Sequence, residues 1–175
     1  MTTKLNPQTL SMQTLQLSAK VTRLAGERGK TVGTAESCTG GLIGAALTSV
    51  QGSSAVFHGG IIAYDNAVKA NSLNVSHGLL TEFGAVSSEV AAVMAREARA
   101  RLNVDIAVSV TGIAGPGGGT KEKPVGTVWM GLACRANGSV NVSTQHYFFD
   151  HFNRQEVREM TVMVALETLI NALKQ

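Results

Sequence analysis

The sequence predicts an α/β domain in which a mixed β-sheet carries helices on its faces. In the first two thirds of the chain, short apolar runs typical of strands alternate with stretches whose apolar residues recur at helical spacing. Later, two strand-like runs flank residues 135–138, Arg-Ala-Asn-Gly, and an Asn-Gly pair marks a hairpin turn. Alternating strands and helices favour parallel pairing, and the hairpin adds antiparallel strands. We expect the 175 residues to form a single domain.

The composition favours either a very compact domain or one that packs against another subunit. Hydrophobic residues make up 44% of the chain and charged residues only 15%, so either the domain is very compact or some apolar surface is buried against another subunit. No apolar run approaches the roughly 20 residues of a membrane helix. The first residues lack the apolar core and the cleavage site of a secretory signal, and we therefore expect a cytoplasmic protein.

Charge and cysteine content narrow the range of ligands. The net charge is +3, with lysine and arginine dispersed along the chain, which suits a small anionic ligand and gives little support for nucleic acid. Cys38 and Cys134 are far apart, and we expect both thiols to be reduced. The four histidines show no metal-ligand spacing, so we expect no zinc site.

The first part of the chain predicts a helix, a strand and a second helix. An amphipathic helix is predicted over residues 7–26 by apolar residues at helical spacing, namely Leu10, Leu17, Val21 and Leu24. Residues 31–35 are typical of a short strand. A glycine pair then opens a helix over residues 42–47, and a turn follows at residues 51–54.

The middle of the chain predicts one strand and three helices. Residues 55–64 form a strand-like run with a glycine pair inside it, which indicates a bulge or a close backbone approach. The pair Asp65-Asn66 can cap a helix over residues 67–73, and another helical turn is expected at residues 77–82. Ser87 suits the N-cap of a firmer helix, whose apolar face carries Val90, Val93, Met94, Ala98 and Leu102.

The last part predicts a buried strand, a hairpin and a long helix. Residues 105–110 form a short apolar run, and the hairpin strands cover residues 125–134 and 139–149. Asn153 caps a helix that runs to about residue 173. Because this helix is apolar around much of its circumference, we expect it to lie between the sheet and another surface, such as a partner subunit.

Three predicted strands end in polar or glycine-rich residues, which follow Ala35, Ala63 and Val110. In open α/β sheets, ligand sites lie outside the carboxyl ends of the strands. The first such end is the stretch Thr-Ala-Glu-Ser-Cys-Thr-Gly-Gly at residues 34–41, between a strand and a helix. There the Ser37 hydroxyl and the backbone N–H groups of the helix start could serve one small anion or oxyanion. The structural alternative is an N-capping cluster with glycines for a tight turn.

The second strand end offers a hydroxyl and a lysine, Tyr64 and Lys69. No histidine is close in sequence to these strand ends, which disfavours a Ser-His-Asp triad. Lys69 lies in an otherwise uncharged stretch over residues 66–76, and burial there would lower its pKa and allow it to act as a base. A solvated surface lysine is the alternative.

The third strand end leads into a glycine-rich loop. The loop lacks the lysine of a P-loop and the spacing of a dinucleotide fingerprint, but residues 112–115 would let backbone approach a ligand closely. A flexible crossover is the alternative. Arg154 and Arg158 lie one turn apart on the last predicted helix, where they could bind a phosphate or carboxylate or simply be solvated.

Taken together, these segments resemble the CinA C-terminal domain family, whose enzymatic members are nicotinamide mononucleotide deamidases. The resemblance runs from about residue 10 to residue 173 and is carried, in order, by residues 34–41, residues 60–64 with Asn66 and Lys69, residues 111–118, and Arg-Gln-Glu-Val-Arg at residues 154–158. The family commonly approaches its last helix through a Gly-Asp-Arg type of sequence, where this chain has Asp-His-Phe-Asn-Arg at residues 150–154.

The resemblance implies a three-layer α/β/α sandwich with a mixed, mostly parallel sheet, usually oligomeric. It implies hydrolysis of the carboxamide of nicotinamide mononucleotide, a small anionic nucleotide, to nicotinate mononucleotide and ammonia, without metal or cofactor. Ser37 would be the nucleophile, Lys69 its base and Tyr64 a supporting hydroxyl. Backbone N–H groups of residues 38–41 would hold the oxyanion. The expected substrate contacts are Glu36, Cys38, Thr39, Gly40, Gly41, Thr111, Gly112, Gly115 and, near the phosphate, Arg154.

Two other functions are compatible with the sequence. One is a nucleotide-binding or regulatory domain without turnover, linked to competence or DNA damage. The other is a Ser/Lys amidase that acts on a different small amide.

Overall fold

The computed structural model describes residues 7–136 and 138–175, and within them the chain forms six α-helices and five β-strands. In chain order these are α1 (Pro7–Glu27), β1 (Val32–Glu36), α2 (Leu42–Thr48), β2 (Phe57–Ile62), α3 (Asn66–Leu73), α4 (His77–Phe83), α5 (Ser88–Arg101), β3 (Ile106–Gly112), β4 (Thr127–Ala136), β5 (Ser139–Phe148) and α6 (Arg154–Lys174). None of the helices in this part of the chain combines the length and apolar character that crossing a bilayer requires.

The five strands form one mixed sheet in the order β2-β1-β3-β4-β5. β1 pairs in parallel with both β2 and β3, whereas β3 with β4 and β4 with β5 are antiparallel. The predicted mixed α/β fold is therefore confirmed. Because β2, β1 and β3 are parallel neighbours, their carboxyl ends lie at one edge of the sheet, and that edge carries the polar residues singled out above.

Helices cover both faces of the sheet, which gives three layers. On one face α1, α2 and α6 pack together over a core that includes Val21, Ile43, Val108, Met130, Leu166 and Leu169. On the other face α5 lies against β1, β3 and β4, with α3 and α4 beside it, over a core that includes Ala35, Leu73, Val90, Met94 and Ala107.

Local sequence signals account for the starts of three helices. The Asp65 carboxylate accepts from the Ala67 N–H at 2.7 Å, and the Ser87 hydroxyl accepts from the Val90 N–H at 3.3 Å. Asn153 forms a capping box with Glu156. Each cap satisfies N–H groups that lack partners within the helix, so the three predicted caps are confirmed.

The glycine pair of β2 lies at an irregularity, as predicted. Val32 pairs with Phe57 but Gly33 pairs with Gly59, so His58 is an extra residue on β2. The predicted strand over residues 55–64 is too long, because residues 53–55 form a short 3₁₀ helix before β2 begins.

One other expectation needs correction. Thr111 and Gly112 do not follow the third strand but are its last two residues, paired with Trp129 and Val128 of β4. The predicted burial of α6 between the sheet and another surface is confirmed, and that surface is α1 of the same chain, so its apolar circumference does not require a partner subunit. The Leu10 side chain and Asn137 of the hairpin turn lie outside the described part of the structure.

Candidate active site

The site is organised around a tight turn between β1 and α2, at residues 37–41. The Ser37 N–H donates to the Val110 carbonyl of β3 at 3.0 Å, and the Ser37 carbonyl accepts from the Gly40 N–H at 3.1 Å. Gly40 and Gly41 have φ values of 62° and 97°, in the left-handed region that glycine adopts without strain. The turn thus leaves the sheet at its carboxyl edge and places Ser37, only 8% exposed, at its first position.

The Glu36 side chain stabilises this turn by accepting hydrogen bonds from it. Its carboxylate is buried and accepts from the Thr39 hydroxyl at 2.7 Å and from three backbone N–H groups at 2.8–3.1 Å, those of Gly41, Ile43 and Gly44. A fully buried carboxylate is tolerated because this many donors replace its hydration. These three N–H groups at the start of α2 are therefore occupied by Glu36, and the Gly41 N–H is not free for an oxyanion.

A cavity of about 190 Å³ opens beside the turn. Seven of the expected site residues line it: Ser37, Cys38, Tyr64, Lys69, Thr111, Gly112 and Arg154. The other five are not among the lining residues: Glu36, Thr39, Gly40, Gly41 and Gly115. The first four of these form hydrogen bonds within the turn itself. The Gly115 carbonyl accepts a hydrogen bond from Arg154.

Lys69 is buried in α3, with 2% of its surface exposed. Its Nζ donates to the Tyr64 carbonyl at 3.0 Å. Burial lowers the pKa of Lys69, because the ammonium form loses its hydration; Asp65 and Cys38 act in the opposite direction and oppose this shift only in part. Within the described residues, no hydrogen bond joins Lys69 to the Ser37 hydroxyl, although both line the same cavity.

Tyr64 and Arg154 close one side of the cavity. The Arg154 guanidinium donates from Nη2 to the Tyr64 hydroxyl at 2.9 Å and from Nη1 to the Gly115 carbonyl at 2.8 Å. Tyr64 is 59% exposed. A second cavity of about 850 Å³ adjoins the first and shares Ala114 and Arg154 with it. Arg154 therefore connects the glycine-rich loop, the tyrosine and two cavities.

The wall formed by residues 83–86 is held by side chains that the sequence did not single out. Lys123 Nζ donates to the Phe83 carbonyl at 2.6 Å and to the Val86 carbonyl at 2.8 Å. Thr111 Oγ1 donates to the Ala85 carbonyl at 2.7 Å. Lys123 follows Lys121 and Glu122 in a polar loop, which is typical of solvated residues, so no sequence signal marked its role. Asn66 also lines the smaller cavity without having been assigned a role.

The two cysteines are free, and Cys38 is a poor nucleophile. Burial raises the pKa of the Cys38 thiol to about 12, and nearby Glu36 also raises it. The backbone amides of Cys38 and Thr39, together with Lys69, oppose this shift. A thiol with this pKa stays protonated at neutral pH, so Ser37 and not Cys38 is the candidate nucleophile of the turn.

Comparison with known proteins gives consistent matches over nearly the whole chain. The family model described as the CinA C-terminal domain matches residues 14–173. A CinA-like protein from Synechococcus sp. (strain CC9902) is 50% identical over 153 residues, and one from Leptospira borgpetersenii is 49% identical over 156 residues; each match covers 87% of this chain and 36% of the relative. The chain thus spans about a third of the length of these curated relatives.

Solved structures show the same fold. The competence/damage inducible protein CihA from Agrobacterium tumefaciens superposes with a TM-score of 0.88 at 46% identity, covering 93% of this chain and 96% of that one. A competence-damaged protein (CinA) superfamily protein from Klebsiella pneumoniae gives a TM-score of 0.86 at 32% identity, covering 92% and 98%.

Proposed function

The chain belongs to the CinA C-terminal domain family, and on that premise we propose that it is an amidohydrolase that converts nicotinamide mononucleotide to nicotinate mononucleotide and ammonia. The reaction would serve the recycling of pyridine nucleotides. The observation that carries the proposal is that a serine, Ser37, and a buried lysine with a lowered pKa, Lys69, line the same small cavity.

The two residues divide the chemistry of amide hydrolysis between them. Ser37 Oγ attacks the carboxamide carbon while neutral Lys69 Nζ takes the hydroxyl proton. When the tetrahedral intermediate collapses, the C–N bond breaks and Lys69 returns the proton to the departing ammonia. A water molecule then attacks the serine ester and gives a proton to Lys69. The ester C–O bond breaks, Lys69 returns the proton to Ser37 Oγ, and the carboxylic acid leaves.

The charge state of Lys69 supports this assignment. An ordinary lysine is protonated at neutral pH and cannot accept a proton, whereas burial favours the neutral amine. The hydrogen bond to the Tyr64 carbonyl uses one N–H of that amine and leaves its lone pair free. Lys69 can therefore act as a base without a histidine.

The two adjoining cavities suit the two parts of a nucleotide. The smaller one, with Ser37 and Lys69, is of a size for the carboxamide ring, and the larger one can take the ribose phosphate. Arg154 lies between them, and its guanidinium favours an anion such as phosphate.

The reaction is tested by measuring ammonia and nicotinate mononucleotide together after incubation with nicotinamide mononucleotide. We expect equal amounts of both products. Nicotinamide riboside and free nicotinamide, which lack the phosphate, should react more slowly. Preference for an unrelated small amide would replace the proposed substrate with another, while keeping the Ser/Lys chemistry.

A regulatory nucleotide-binding domain is the second candidate function. Two observations favour it: the solved relatives carry competence/damage names, and Ser37 and Lys69 are not hydrogen-bonded to each other among the described residues. This candidate predicts binding of the same nucleotide in calorimetry without ammonia release.

We further propose that the protein works as a homo-oligomer in the cytoplasm. β5 is the outermost strand on one side of the sheet, next to β4, and it contains no Asp, Glu, Lys or Arg. Its exposed apolar side chains are Val140, Val142 and Phe148. Edge strands that face solvent usually carry charges that prevent pairing, so an uncharged edge favours contact with another copy.

A further inference from the structure

Arg158 of α6 contacts the nucleophile turn from the side of the helix. Its Nε donates to the Cys38 carbonyl at 3.2 Å, and its Nη2 donates to the Thr39 carbonyl at 3.0 Å. The side chain is half-buried, and no carboxylate among the described residues forms an ion pair with it. Its guanidinium therefore donates hydrogen bonds to two consecutive backbone carbonyls.

These contacts fix the direction of the backbone amides. In a planar trans peptide the C=O and the following N–H point in opposite directions. The Gly40 N–H holds the Ser37 carbonyl, and Arg158 holds the next two carbonyls. Three successive peptide planes are thus fixed. The Cys38 carbonyl and the Thr39 N–H belong to one of these planes, so Arg158 fixes the direction of the Thr39 N–H by donating to the Cys38 carbonyl.

The amides of Cys38 and Thr39 are the donors left for an oxyanion in this turn. Within the described residues, neither donates to a backbone carbonyl, whereas the Gly40 amide bonds to Ser37 and the Gly41 amide bonds to Glu36. Both amides face the Cys38 thiol and lower its pKa by hydrogen bonding, a weak interaction that an oxyanion could replace, and Cys38 lines the cavity with Ser37.

We propose that Arg158 is a positioning residue for the oxyanion that forms when Ser37 attacks an amide: it orients the Thr39 amide directly, and the Cys38 amide indirectly through the Gly40 N–H that holds the Ser37 carbonyl. This inference rests on the proposed function. The guanidinium also places a fixed positive charge against the carbonyl side of these peptides, which polarises their N–H groups toward the developing negative charge. Arg158 acts through the backbone and not on the substrate carbonyl itself.

The test compares Arg158→Met and Arg158→Lys with wild type and with Arg28→Met. Arg28 donates to the Lys174 carbonyl at 3.0 Å, so the control also removes an arginine–carbonyl bond, at a distance from the cavity with Ser37. Turnover of nicotinamide mononucleotide gives kcat and KM. Hydrogen exchange of the peptide spanning residues 37–44 reports the order of the turn without any substrate.

For Arg158→Met we expect kcat to fall about 100-fold, as for a misplaced catalytic group. Exchange of the Gly40 to Gly44 amides should become faster. Arg158→Lys should recover part of kcat, since an ammonium can donate to one carbonyl but lacks the planar fork. Arg28→Met should match wild type in both readouts.

Two results would overturn the inference. One is an Arg158→Met variant with a raised KM but unchanged kcat and unchanged amide hydrogen exchange. Arg158 would then only contact the ligand in the larger cavity, which it also lines. The other is wild-type behaviour of Arg158→Met. If wild type itself releases no ammonia, the proposed function fails, and the exchange measurement alone decides: faster exchange supports positioning by Arg158 and unchanged exchange refutes it.

Discussion

At the scale of single residues, Lys69 combines a cost to stability with the proposed role of a base. A lysine that is 2% exposed and has no carboxylate within ion-pairing distance among the described residues loses its hydration without a compensating ion pair. Its lowered pKa follows from the same burial. Proteins retain such groups where function needs them, so Lys69 should be replaceable for folding but not for catalysis.

Lys69→Met should therefore lower activity and raise stability. We expect kcat to fall by about 10²–10⁴-fold, the contribution of a general base, and the free energy of unfolding at neutral pH to rise. Since the folded state holds the Lys69 proton less tightly than the unfolded state, wild-type stability rises with pH between the lowered pKa and the ordinary lysine pKa. The stability advantage of the variant should shrink over the same range, as measured by urea unfolding at several pH values.

The control for this prediction is Lys69→Arg. A guanidinium stays protonated and cannot act as a base, so this variant should be inactive without gaining stability. The interpretation of Lys69 fails if Lys69→Met keeps wild-type kcat, or if its stability relative to wild type does not change with pH.

Cys38 gives a second prediction at this scale. Because burial raises the pKa of its thiol to about 12, Cys38 should resist iodoacetamide at pH 7.5 in the folded protein and react only after unfolding. Peptide mass spectrometry in a Cys134→Ser background follows the label. If Cys38 is labelled as fast in the native protein as in the unfolded protein, its thiol is reactive, and Cys38 would again be a candidate nucleophile.

Residue types and spacing singled out Ser37 and Lys69 as candidates but left structural alternatives open, and the family resemblance supplied their proposed roles. The structure places both residues beside one cavity, and the residues that support them were not predicted. The role of Glu36 was not predictable, since only the fold shows that its carboxylate faces the N–H groups of α2 and does not face the cavity. Lys123 was missed because a loop lysine carries no local sign of a partner 37 residues or more away.

At the scale of elements, the connection between α4 and α5 depends on the glycine-rich loop that crosses beside it. Lys123→Met should reduce the free energy of unfolding by about 1.5–3 kcal/mol, since it removes hydrogen bonds from a charged donor to two carbonyls. Chemical denaturation measures this, and hydrogen exchange at residues 83–86 should become faster. Lys121→Met, on an exposed residue of the same loop, is the control and should match wild type; equal stability of both variants would contradict the assignment.

The packing of α5 on the sheet gives another prediction. A Cβ on Gly131 of β4 would lie 2.6 Å from Ser109 Oγ and 2.7 Å from the Ala91 carbonyl carbon of α5, so Gly131→Ala should destabilise the fold by about 1–3 kcal/mol. Thermal unfolding measures the loss. Gly117→Ala is the matched control, because nothing lies within 4 Å of its added Cβ. A Gly131→Ala protein as stable as this control would show that α5 can shift away at little cost.

The elements themselves and the starts of several helices were largely predictable, and the ends of the strands were not. Caps such as Ser87 and Asn153 are local signals and were found where expected. The end of β3 was placed too early because Thr111 and Gly112 look like a turn in sequence, and only pairing with β4 makes them strand. Strand ends depend on neighbours that a local pattern does not contain.

At the scale of the whole molecule, the site exists because three parallel strands end at one edge. The alternation of strands and helices made that convergence predictable, although the strand order was not. The covering of α6 by α1 was also not predictable, because an apolar helix face does not specify its partner.

The uncharged edge strand leads to a prediction about assembly. We expect light scattering to give a multiple of the 18.3 kDa chain mass. Val142→Lys should shift the protein toward the monomer, since it places a charge on the face that Val140 and Phe148 share with it by strand alternation. Ser143→Lys, on the opposite face, is the control. A monomeric wild type would refute the proposed oligomer and leave the site unaffected.

The central claim is that Ser37 performs nucleophilic attack with Lys69 as its base. The most direct measurement is the initial rate of ammonia release from nicotinamide mononucleotide by wild type and Ser37→Ala, with circular dichroism to verify that the variant is folded. The account predicts release by wild type and a loss of about 10³-fold or more in the variant, since the covalent route is removed. Full activity in a folded Ser37→Ala protein would contradict it.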